Sequence, residues 1–227
     1  IYNEHLNDGS PLSPRAFFDN VLFDTGFDDA RYLFWPNNAP FAQPKYSGSR
    51  DDPNVRQNAL AETHEKIGSI ERPVGHLLMG GMADGPMETT SGQVSTVGAT
   101  ADSEDAYCSW VGAMCGVGVS GGLSLLIDHD DILRALIEGW FHYRSYLDQT
   151  PGLKGYQIET WNGQWLSHRF GWDYNPTDPL RDFDPHVTKS SGMSTKDWAQ
   201  VLFALARHLP DTRLTVYVYS LGQTNQT

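Results

Sequence analysis

The pentapeptide Gly118-Val119-Ser120-Gly121-Gly122 fits G-x-S-x-G, a spacing that in one class of hydrolase lifts a serine hydroxyl onto a sharp turn beside oxyanion-holding backbone N–H groups. The chemistry would be acyl transfer, and the hydroxyl would need a histidine and an acid to activate it. Downstream, Asp184 and His186 are the first candidates, with Asp182 and His208 as substitutes. Such a turn has an order, with a strand before the serine and a helix after it. Here the residues before Ser120 read as the end of a helix, and LSLLID after it as an extended run. Ser120 is therefore expected to be structural, the glycines at 116, 118, 121 and 122 serving a helix-to-strand connection through backbone conformations open to glycine.

Metal ligation is the second chemistry the residue types allow. Asp128-His129-Asp130-Asp131 and the segment Asp182 to His186 both hold hard ligands. The first group is already explained by helix capping and the helix dipole. In the second, Asp182, Asp184 and His186 alternate, so an extended backbone would put them on one face; it is the better candidate, but no metal is expected at either. His64-Glu65 opens like a zinc-protease motif and fails because position 68 is glycine. The histidines at 76, 142, 168 and 208 stand singly and read as packed or surface residues. No phosphate-binding loop is present, and no cofactor is expected.

Composition narrows the classes further. The 227 residues carry 28 Asp and Glu against 16 Lys and Arg, a formal net charge of -12. No basic cluster able to displace counterions from phosphates appears, so nucleic-acid binding as the main task is disfavoured and at most weak contact is expected. Cys108 and Cys115, seven residues apart on one helix, would stand about 10 Å apart along its axis, too far for a disulfide. That usage suits a reducing compartment, and a cytoplasmic location is expected. No apolar run reaches the ~18 residues of a membrane span. The chain starts at Ile1 and runs from a strand-like pattern into a polar end, which reads as a segment of a larger polypeptide.

The elements that must position these residues follow from periodicity. Residues 1–53 read as an irregular aromatic and proline-rich arm whose apolar side chains, among them Phe17, Phe18, Phe23, Phe34, Trp35 and Phe41, need a neighbour to cover them. A core over 54–227 is then expected. Helices are predicted from Pro53 to about Ile70, from Asp102 or Ser103 to the glycines after Cys115, over 128–150, and from Ser194 to Pro210. In the third, Ile132, Leu133, Leu136, Ile137, Trp140, Phe141 and Leu147 recur near helical period. Asn162-Gly163 between aromatic runs predicts a β-hairpin with strands near 155–161 and 164–170. RLTVYVYSL alternates as a half-buried strand should. The fold class expected is α+β: a helix-led, loop-rich single domain with a small antiparallel sheet or hairpin and an extended N-terminal arm.

The run HLLMGGMADGP, then SEDAYCSWVGAM, then a long aromatic helix, resembles the middle of capsid proteins of totivirus-like double-stranded RNA viruses, over about a third of the chain. The resemblance implies a helix-rich α+β shell subunit in a cytoplasmic virion, with copies of itself or sister subunits as partners and no membrane. The histidine with which some members attack messenger-RNA caps matches none of the histidines here, and that activity is not implied. Two rivals stand beside the structural subunit: a serine hydrolase using Ser120, and a scaffold subunit of a ribonucleoprotein complex.

Overall fold

A computed structural model describes residues 12–27, 53–68, 102–120, 122–153, 157–186 and 192–220. These divide at the end of one helix into two compact units, one within residues 2–114 and one within 115–222. The composition is the helix-led α+β class expected, with one small antiparallel sheet.

In the N-terminal unit, Ser13 caps α1 (Pro14–Phe17) by accepting a hydrogen bond from the Ala16 N–H, with Pro14 in the first turn. The chain then widens into a π-helix, Phe18–Phe27. This corrects the irregular arm over these residues. The reason lies in the spacing: Phe18 and Phe23, like Leu22 and Phe27, are five apart, which suits i→i+5 winding and is invisible to a 3.6-residue pattern. Phe17, Phe18 and Phe23 are buried, so cover for them comes from this chain. Phe34, Trp35 and Phe41 lie outside the described residues.

Helix α2 (Pro53–Gly68) buries Ala59, Thr63 and Ile67 on one stripe. Helix α3 (Ser103–Cys115) is capped by Asp102, whose Oδ1 accepts from the N–H groups of Glu104 and Asp105 while Asp105 Oδ2 accepts from the Asp102 N–H. Its inner face is Ala106, Tyr107, Trp110 and Met114. Phe18 sits among Phe27, Tyr107 and Trp110 with ring centroids 5.6–6.0 Å away, and Phe27 meets Trp110 edge-on at 4.8 Å.

The C-terminal unit is built on the sheet β1 (Val117–Val119), β2 (Leu123–Asp128) and β3 (Thr215–Ser220), in that spatial order and antiparallel throughout. Helix α4 (Asp130–Gln149) starts at His129, whose Nδ1 accepts from the Asp131 N–H. It buries Ile132, Leu136 and Trp140 completely. Phe141, expected on that stripe, is instead 44% exposed, and Tyr143, three residues after Trp140 on the same face, is buried in its place.

The hairpin expected at Asn162-Gly163 is not there: residues Ile158–Arg169 form helix α5. Its indoles, Trp161 and Trp165, donate to the carbonyls of Gly139 and Ala135, a four-residue step met by a four-residue step on an antiparallel helix. Gly139 is glycine because a Cβ would run into the Trp165 ring, and Gly163 because one would run into the Met193 side chain. Asn162 donates to the Gly116 carbonyl. The Asn-Gly pair thus serves packing and a polar link, and the turn signal is overridden. Residues 171–186 form turns, and helix α6 (Thr195–His208), capped by Ser194 Oγ on the Asp197 N–H as expected, packs on α5.

Candidate functional site

Ser120 lies in the three-residue connection between β1 and β2, where Val119 pairs with Leu123. A strand does precede it, contrary to the expected helix end, yet a strand and not a helix follows. The hydrolase turn still fails, on its second half. Gly122 takes φ +81° to close the hairpin. The Ser120 N–H donates to the Met193 carbonyl at 2.7 Å and the Met193 N–H to the Gly118 carbonyl at 2.8 Å, so backbone covers the outer edge of β1. Gly192, at φ +91°, leaves no room for a Cβ against the Val119 carbonyl carbon, 2.7 Å away.

The other expected site residues do not gather. His186 and Asp184 stand 3.8 Å apart on open surface, and the His186 carbonyl accepts from Gln164 Nε2. Asp182 pairs with Arg181 instead. Among the described residues no three His, Cys, Asp or Glu side chains come together as a metal would require. The Asp128–Asp131 run caps α4.

Two polar clusters were not foreseen. In the N-terminal unit, His64 Nε2 is 2.9 Å from Asp19 Oδ1, and His64 Nδ1 is 2.7 Å from the Tyr107 hydroxyl. Nε2 meets the carboxylate at ion-pair distance without hydrogen-bond geometry, whereas Nδ1 and the phenol are hydrogen-bonded, the phenol donating when the ring is neutral with its proton on Nε2. Burial lowers the His64 pKa below its ordinary value against the opposing pull of Asp19, and burial raises that of Tyr107. In the C-terminal unit, Glu159 in the first turn of α5 is buried beneath the sheet and accepts from Ser124 Oγ at 2.7 Å. Burial raises its pKa, with the Ser124 hydrogen bond pulling the other way. Gly118 is glycine here because a Cβ would come within 2.9 Å of the Glu159 Cβ. Each cluster joins residues from different elements, so no local spacing announces it.

The surface carries more than these interior clusters do. Strand β3 was expected to be half-buried, but Val216 is exposed, and Tyr217 and Val218 are each 59% exposed. Both faces of this strand are open. Among the described residues β3 pairs with β2 alone, so its other edge offers backbone N–H and C=O groups to an incoming strand. On α6, Leu202 and Phe203 are exposed, and Trp172 in the turn region is 83% exposed with the Arg207 guanidinium over its ring at 5.2 Å.

Among the described residues no helix is long and apolar enough to cross a membrane. Comparison with protein-family models, with curated proteins and with solved structures finds no significant match to this chain. The fold class is α+β, helix-led with a small antiparallel sheet.

Proposed function

We propose that this chain is a structural subunit of a large assembly, a shell protein of the capsid kind, whose setting is the cytoplasm or the virion. The observation that carries this is β3, an apolar strand open on both faces with no charged residue between positions 214 and 220. Isolated proteins guard such an edge with lysine, proline or cover, whereas assembly subunits use it. Light scattering or sedimentation of the purified chain tests the proposal. A particle many times the 25.3 kDa subunit is expected, and a monomer at every concentration overturns it.

A second reading, a scaffold subunit of a ribonucleoprotein complex, is favoured by Trp172 and Arg207. An exposed indole with a guanidinium on one side leaves its other side for an unpaired base. Under this reading the particle absorbs as nucleic acid as well as protein, and Trp172→Ala releases the nucleic acid.

A further inference from the structure

We propose that the occupant of the open β3 edge is the same strand of a second copy, aligned antiparallel about a two-fold axis through Tyr217, so that two three-stranded sheets join into one. The inference rests on the assembly reading and names its contact.

The first support is the side-chain pattern. In an antiparallel pair, directly opposed residues share a face, and a two-fold axis normal to the sheet keeps each face on its own side. Registers centred on a residue are therefore the only ones open to a strand meeting itself. Centred on Tyr217, the pairing sets Val216 of each copy opposite Val218 of the other and Tyr217 opposite Tyr217. Apolar meets apolar, and aromatic meets aromatic. Val216, Tyr217 and Val218, the large apolar side chains exposed on this strand, lie at the centre of this register.

The second support is charge. Each copy carries a net charge of -12, so two copies repel one another overall. Residues 214–220 are uncharged and contain no proline, so two like-charged copies approach there with least repulsion and with every outward backbone group able to pair. A contact of this length buries less than the ~1,200 Å² at the low end of stable pairwise interfaces. It therefore acts through multiplicity, as one repeated contact within a larger particle.

The experiment uses the full chain with the exposed Cys108 changed to serine. Copies bearing Val216→Cys are mixed with copies bearing Val218→Cys, assembled and oxidised. The expected result is a disulfide-linked dimer in the mixture and little from either variant alone, since opposed Cα atoms about 4.5–5.5 Å apart lie within disulfide reach. Val218→Lys should lower the association constant about tenfold, while Val218→Thr, equally suited to a strand, should leave assembly intact. A full-sized particle whose mixture cross-links no better than the single variants overturns this register and leaves the assembly reading standing. A parent chain that stays monomeric at every concentration overturns both.

Discussion

His64 is held between a carboxylate and a phenol, and burial lowers its pKa against the opposing pull of Asp19. A histidine whose folded pKa lies below its unfolded value binds fewer protons when folded, so the folded state gains stability as pH rises through the ordinary value of 6.5 and loses it as pH falls below. Urea titrations between about pH 5 and 8 should show this rise, and His64→Gln should flatten it. His142 is shifted the same way by burial, so a His142→Gln control separates the two contributions. Tyr107→Phe removes the donor to Nδ1 and should cost about 1–3 kcal/mol at pH 7. Glu159 has the opposite sign: its folded pKa is raised, so it binds more protons when folded, and its contribution is lost as pH rises through that folded value. Glu159→Gln keeps an acceptor for Ser124 and no charge to bury. At pH 8 it should unfold at the same or higher urea concentration than the parent, and a clear loss there would show that the carboxylate itself is needed.

At the scale of elements, α4 and α5 form the centre of the C-terminal unit. Trp140 is fully buried on α4, and Trp140→Ala should cost about 3–5 kcal/mol through the cavity it leaves. Gly139→Val and Gly163→Val fail for the opposite reason, because each side chain would occupy space held by Trp165 or by Met193. The β1–β2 connection separates side chain from backbone. Ser120→Ala should change stability by no more than about 0.5 kcal/mol, whereas Gly192→Ala meets both positive φ and the Val119 carbonyl and should cost more than 1 kcal/mol, to order of magnitude. Chemical denaturation checks all of these, and stoichiometric labelling of Ser120 by a fluorophosphonate would reverse its structural assignment.

For the whole molecule, charge and apolar surface set the conditions of assembly. Copies carrying -12 each that meet through an uncharged strand should associate more readily as salt screens their repulsion, the Debye length falling to about 3 Å at 1 M. Sedimentation across a salt series should show the assembled fraction rising. A nucleic-acid-bound scaffold behaves oppositely, since phosphate contacts weaken steeply as salt increases, and a particle that dissolves on adding salt would favour that second reading. The N-terminal segment has its own test. Phe18 lies fully buried among Phe27, Tyr107 and Trp110, so Phe18→Asp should destabilise the N-terminal unit of an isolated subunit, with no assembly required to see it.

Sequence alone determined those parts whose cause is local. The helices at 53–68, 103–115, 130–149 and 195–208 follow from caps and 3.6-residue apolar stripes, β2 from a short leucine-rich apolar run, and β3 from alternating β-branched and aromatic residues. Each depends on neighbours within a few residues. Tertiary structure decided the rest. Asn162-Gly163 favours a turn, but two indoles with helical spacing and carbonyls waiting on α4 outweigh one dipeptide. The π-helix exists because Phe18, Leu22, Phe23 and Phe27 all find cover inside the chain, and the exposure of β3 depends on what packs beside it, which its alternation could not reveal. Asp19, His64 and Tyr107 lie far apart in sequence and meet only where three helical segments converge, because a hydrogen bond requires closeness in space and a sequence records only order along the chain.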